Sequence, residues 1–467
     1  MQASDSCDRR NVRLAWGTAI AALAIFILYG LFSNGTYNDD DISHYLIARF
    51  SWLHPSLLWD TWGRPAFTVL YAPVALFGFG AARAFSAVLA TLTCVITARV
   101  ARVYGARLWW LAIPLTALQP EFLRQGFSTL TELTGALFLA LALLAFRHRR
   151  WTWLGLAAGV LPLARYELLP ISAIFGLILL KERSNKGLVL LVLPMAVQNI
   201  LNAMTQGSAA PLLFPFNYAL GAQPGQGTFD YADNHPLYYL IHSPEIFGWI
   251  PLILLAWGLL RLRPGLLHAI LLTAFAILAI ASGALVPQNA PAYHRYAATL
   301  GPLVGLLATI GFDRLWSARI FARLTRPVPF ARIPALQLAG VLLVLAFAVM
   351  TLPGMKPFRL SRERMTVIDT ARWFETGPYS DRVVVCSHVW FAYATGIDRF
   401  DPRVYMTTTP EHIETAPPGS LIIWDTHYSP RLSFCTPLES LKDNPGFRLL
   451  HHRAANETFN IYVFEKL

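Results

Sequence analysis

Apolar runs of membrane-spanning length recur along this chain, and short clusters of arginine and lysine separate them. No other feature restricts its fold so strongly. A run of about 20 apolar residues is long enough to cross a bilayer as a helix. Of the 467 residues, 55% are hydrophobic and only 14% charged, whereas soluble domains carry about 25% charged residues. The expected class is an α-helical polytopic membrane protein. The net charge of +11 does not point to nucleic acid. Its basic residues lie in short runs between apolar segments, which is the positive-inside pattern.

Residues 1–13 are polar and carry Arg9, Arg10 and Arg13, and residues 14–33 are apolar. The flanks resemble a signal peptide, but no small-x-small cleavage site follows. The segment therefore reads as an uncleaved anchor with its N-terminus inside. A first outer loop, 34–82, is amphipathic and rich in tryptophan. Its run from 66 to 80 is short and broken by Pro73, so it reads as interfacial or re-entrant rather than spanning. Further spans are expected at 83–104, 108–120, 131–147, 151–165, 167–180, 187–203, 247–262, 265–285, 296–313 and 335–352. That makes about eleven, with the C-terminus outside. Inner segments then hold 19 of the lysines and arginines. Outer loops before the tail hold six: Arg49, Arg64, Arg83, Arg124, Arg165 and Arg295. This bias supports the orientation.

The chain divides into a membrane domain, 1–352, and a tail, 353–467, of ordinary charge. The tail has strand-like runs at Val383–Cys386, Leu421–Trp424 and Ile461–Phe464. Residues 362–375 read as a helix and Pro417-Pro418-Gly419 as a turn. A small α/β domain outside the cytoplasm is expected, with no catalytic motif. There Cys386 and Cys435 would be free to pair.

The stretch from Tyr37 to Phe50 concentrates chemistry at the membrane edge. Asp39, Asp40 and Asp41 follow the first span directly, where charge is costly and usually functional. With this topology Glu132, Arg165, Glu167, Arg295, Tyr238 and Tyr239 share their face. Carboxylates beside arginines at a membrane surface suit a lipid carrying a phosphate. Arginine grips phosphate by bidentate, charge-assisted bonds, and a carboxylate takes the proton from an attacking hydroxyl or amine.

These residues resemble the motifs of the GT-C superfamily, integral membrane glycosyltransferases that use polyprenyl-phosphate sugars. Asp40-Asp41 followed by Tyr45 and Ala48-Arg49 is similar to the first-loop acidic motif, and Gly63-Arg64-Pro65 to the short Pro motif after it. Ala82-Arg83-Ala84-Phe85-Ser86 resembles the start of the next span, without its proline. Pro120 and Glu132 resemble the Pro and second acid of the next outer loop. His235 to Leu240, and His294-Arg295-Tyr296 with Pro302, resemble later bacterial elements. The nearest patterns are protein O-mannosyltransferases and lipid A aminoarabinose transferases, over about residues 14–350.

The resemblance implies an inverting transfer to a lipid, glycan or protein acceptor. Asp40 is then the base, Asp41 the neighbouring acid and Glu132 the second acid, where the family more often has Asp. Arg64, Arg165, Glu167, Tyr238, Tyr239, His294 and Arg295 are the implied substrate contacts. No cofactor is implied. Three aspartates offer hard ligands for a divalent cation, but adjacent residues rarely point at one ion. The Ala-, Leu- and Arg-rich composition suggests a bacterial inner membrane with the site facing the periplasm.

Plainer readings stand beside these. The aspartates suit a helix N-cap, and Glu132 suits a helix dipole. Arg165 and Glu167 suit a local ion pair, Arg295 a headgroup anchor, and the tyrosines an aromatic belt. A transporter or flippase, or a scaffold presenting the tail, are the rival functions. No internal repeat of the kind transporters often carry is evident.

Overall fold

A computed structural model describes residues 2–206, 235–280, 293–317, 335–431 and 436–467. The chain is mostly helical, with a small sheet near its C-terminus. Among the described residues, four helices are long and apolar enough to cross a membrane: Asp8–Leu31, Phe79–Val103, Asn185–Thr205 and Ala335–Gly354. Shorter apolar helices run at Pro65–Ala75, Trp151–Ala164, Trp249–Arg261 and Leu266–Ala279, and at Glu132–Arg147 and Gly301–Trp316. The expected spans thus return as four long helices and a set of shorter ones. Some expected spans are not single helices. The span at 296–313 is divided between His294–Ala298 and Gly301–Trp316. Residues 108–120 divide into a 3-10 turn at Trp109–Leu111 and a short helix at Ala112–Ala117, and a separate helix starts at Pro120. Proline lacks an amide hydrogen and clashes with the preceding turn, and this stretch has Pro114 and Pro120. The run after Pro65 is an 11-residue helix containing Pro73, too short to span upright.

The outer helices present apolar side chains that nothing among the described residues covers. Leu31, Val189, Val192, Val349 and Met350 are all exposed. In water that surface would be costly, and in lipid it is the matching solvent. Inside, close packing rests on small residues. A Cβ at Gly311 would run into the Leu254 carbonyl, and one at Gly258 would lie 2.6 Å from the Leu307 oxygen. Helices Trp249–Arg261 and Gly301–Trp316 therefore meet backbone to backbone, as small residues permit in membranes.

The C-terminal sheet has the order β2-β1-β3-β5-β4. Its strands are β1 Val384–Cys386, β2 Tyr405–Met406, β3 Leu421–Asp425, β4 Phe447–Ala454 and β5 Asn460–Lys466. β1 lies parallel to β2 and β3, while β5 is antiparallel to both β3 and β4. The helix expected at 362–375 forms at Arg362–Thr376, with the Ser361 hydroxyl accepting the Arg364 amide. The sheet region docks on the first outer loop. The Ser33 hydroxyl accepts the Phe358 amide at 2.8 Å, and His54 contacts Asp398 at 2.7 Å. Cys386 is buried in β1, and Cys435 lies outside the described residues.

Candidate active site

The acidic stretch forms a helix, Asp39–Phe50, and its first turn carries all three aspartates. Negative charge is favoured there by the helix dipole. Asn38 caps the helix, its side-chain oxygen accepting the Asp40 amide at 3.2 Å. Successive residues on a helix point about 100° apart, so the three carboxylates diverge. Asp41 is fully buried and accepts the Thr129 amide at 2.6 Å and the Tyr37 amide at 2.7 Å. Burial pushes its carboxyl above the ordinary range, although Arg83 and those amides oppose the shift. Asp39 turns to the C-terminal region, where it meets Arg364 Nε at 3.0 Å, Trp390 Nε1 at 3.0 Å and the Tyr428 hydroxyl at 2.8 Å.

Asp40 faces a third way, into a buried network of arginines. Arg295 Nη2 donates to its Oδ2 at 2.6 Å. Arg295 Nε also lies 3.7 Å from Glu132 Oε1. Glu132 accepts Arg165 Nη1 at 2.7 Å, and Arg165 Nε donates to Glu167 at 2.6 Å. The Tyr296 ring lies against both guanidiniums, 4.5 Å from Arg165 and 5.3 Å from Arg295. Burial alone would raise the Asp40 carboxyl, but Arg295, chiefly, and the Asn38 side chain bring it below the usual carboxylate range. His44 itself is pushed down to about 3 by burial and by Arg64, Arg295 and Arg165, so its ring is neutral. Within the network the Asp40 side chain is 25% exposed, whereas Glu132, Arg165 and Arg295 are at most 7% exposed. Asp40 is therefore the group a substrate reaches first.

Several buried polar atoms here have no hydrogen-bond partner among the described residues: Glu132 Oε2, Glu167 Oε2, Arg295 Nε and His44 Nδ1. Native interiors rarely leave such atoms unmet, so water or a polar ligand is expected to meet them here. Beside Glu167 and Tyr296 is a small crevice, with room for about one water molecule, whose walls include Ile171, Ala274 and Leu278. A polar centre opening onto an apolar crevice suits a molecule with a charged head and a hydrocarbon tail.

No family model matches the sequence, and no curated protein is similar to it. Solved structures are. ArnT from Cupriavidus metallidurans in the apo state superposes with a TM-score of 0.58 at 13% identity. The match covers 96% of this chain and 97% of that one. The same protein bound to undecaprenyl phosphate gives a TM-score of 0.57 at 12% identity, with the same coverage. The chain has the ArnT fold. The resemblance read from scattered motifs therefore extends, at the level of the fold, across nearly the whole chain.

On the ArnT fold, Asp40, Glu132, Arg165, Glu167 and Arg295 come together in one network. Tyr239 adjoins it, its buried hydroxyl donating to the Tyr293 carbonyl at 3.2 Å. Arg64, at a positive φ of 58°, sets its guanidinium 4.4 Å from the Tyr166 ring. Asp41 lies beside the network but points away from it. Tyr238 and His294 belong to a separate group with His242, which also includes Glu245. Tyr296 was part of a motif but was not assigned to the site, and Tyr293 and His44 were not assigned to it either. Tyr296 had a signal, since it follows Arg295 directly; His44 is three residues after Asp41 and falls on the buried face of its helix. Glu121, next to Pro120, is fully buried in a short helix, where Gln125 donates to it at 3.1 Å.

Proposed function

We propose that this protein transfers a sugar from a polyprenyl-phosphate donor to an acceptor, with inversion at the anomeric carbon. The observation that carries this reading is the Asp40–Arg295–Glu132–Arg165 network, set in a fold shared with a protein crystallised with undecaprenyl phosphate. The donor's phosphate takes Arg295 and Arg165. Its hydrocarbon tail leaves on the apolar side of the site, beside Glu167 and Tyr296, and runs into lipid. Once phosphate competes for Arg295, Asp40 loses the partner that lowers its basicity. It then accepts the proton of an acceptor hydroxyl or amine as that atom attacks the sugar. The bond from the anomeric carbon to the phosphate oxygen breaks, and the electron pair leaves with the polyprenyl phosphate. The arginines stabilise that charge in a site that excludes water. This chemistry needs no metal at Asp40, because the guanidiniums supply the positive charge.

Asp41 positions the base by tying the helix start to Thr129. The acceptor is a lipid, glycan or protein, and the site faces the non-cytoplasmic side of a bacterial inner membrane. The test uses membranes with wild type or Asp40→Asn at equal expression and labelled polyprenyl-phosphate sugars. Donor consumption by wild type alone supports both the donor class and the base. Equal consumption by both moves the base elsewhere. No consumption by a folded wild type refutes the transferase reading and favours a transporter or scaffold.

A further inference from the structure

A second cluster of ligating side chains lies on the opposite side of the acidic turn. Asp39, Glu363, His388 and His427 bring their donor atoms within 4.8 Å of one another. They come from four separate segments. Asp39 begins the acidic helix and Glu363 opens helix Arg362–Thr376. His388 caps helix Val389–Thr395, and His427 sits in the turn after β3. Glu363 Oε1 lies 3.2 Å from His388 Nε2 and 2.5 Å from His427 Nδ1.

The surroundings orient these groups. The Tyr428 hydroxyl and Trp390 Nε1 hold the Asp39 carboxylate. With Arg364 they use three of its roughly four acceptor positions. The His427 ring stacks on Tyr428 at 4.4 Å, and the buried His388 ring meets Tyr428 edge-on at 5.1 Å. Asp425 Oδ1 accepts the His427 amide at 2.9 Å, while its buried Oδ2 has no partner among the described residues. His388 turns Nδ1 toward the Trp390 amide at 3.4 Å, a long contact that ligation through Nε2 would give up. Asp39, Glu363 and Asp425 are three carboxylates around two rings, and Arg364 balances one of them. A single divalent cation would balance the other two while leaving both imidazoles neutral. Two nitrogens and two oxygens, with Asp39 held by Tyr428, Trp390 and Arg364, suit tetrahedral zinc better than magnesium or calcium.

We propose that Asp39, Glu363, His388 and His427 form a structural zinc site that clamps the acidic helix to the C-terminal sheet region. Asp39 adjoins Asp40, so the clamp also fixes where the proposed base stands. The site does not depend on the transferase reading.

The test uses the full chain in detergent, stripped with chelator and reloaded with zinc or cobalt. Metal content and the visible cobalt band are the readouts, and neither requires activity. Wild type should retain a stoichiometric amount of zinc and give an intense tetrahedral cobalt band that zinc displaces. In the half-exposed variant His427→Gln the band should fall to about a tenth or less. Size-exclusion elution should match wild type. Glu245→Gln, which alters the separate group at His242 and His294, should leave the band unchanged. A wild type that binds neither metal overturns the proposal. So does a band that survives His427→Gln, or one that Glu245→Gln abolishes.

Discussion

The two sides of the acidic turn use the same side chain to opposite ends. Asp39 is held by an arginine, an indole and a phenol from the C-terminal region, and its side chain is 13% exposed. Asp40, the next residue, has Arg295 as its charged partner and is 25% exposed. A carboxylate held by three donors is set up to fasten. A carboxylate held mainly by one guanidinium can exchange that partner for a substrate. Sequence position alone does not distinguish them, but the direction each leaves the helix does.

The largest expected effect breaks the Asp40 side alone. Asp40→Asn should lower transfer by about 10²–10⁴-fold, while Asp39→Asn should cost far less at saturating donor; initial rates on labelled donor compare them. Next comes the buried network. Arg165→Met takes the guanidinium from Glu167 and leaves Glu132 only the longer contact to Arg295, and should destabilise the protein by about 3–5 kcal/mol, read as a loss of melting temperature in detergent. The double variant Arg165→Met/Glu132→Gln should recover part of that loss, because one unpaired charge is gone.

The acid limb of the pH–rate profile sharpens the contrast further. The folded Asp40 carboxyl lies below its ordinary value, and unfolded aspartate titrates at about 3.9. Its stabilising contribution is therefore present above that pH and is lost as pH falls through the lower folded value. In Arg295→Gln the opposing effect of burial is left uncompensated, so the acid limb should move upward. The smallest effect belongs to Asp41. Thr129→Val removes a hydroxyl that donates to the Asp41 carbonyl at 2.8 Å, and should cost about 1 kcal/mol by thermal melt. Lower kcat with unchanged KM would show that the loss acts on the position of the base.

Much of the fold was legible because lipid and water impose strict local terms. The span expected at 83–104 is helical from Phe79 to Val103, and the one at 335–352 from Ala335 to Thr351. β3 and β5 lie where apolar runs placed them. β2 and β4 were passed over: Tyr405–Met406 is too short for a pattern, and Phe447–Ala454 is an edge strand with His451, His452 and Arg453. The break at 108–120 was visible in its prolines but was outweighed by its apolar length.

The site was legible as a set of residue types on one face, and not as an arrangement. Asp40 and Arg295 are 255 residues apart, and Asp39 and Tyr428 are 389 apart. By itself the sequence determined that the chain must bury its backbone polar groups in helices, and that acidic and basic side chains collect at one edge. Those are short-range consequences of solvent and spacing. Only the tertiary structure decided which carboxylate meets which partner. A buried charge settles beside whatever opposite charge packing brings within a few ångströms, and that choice is made between segments hundreds of residues apart.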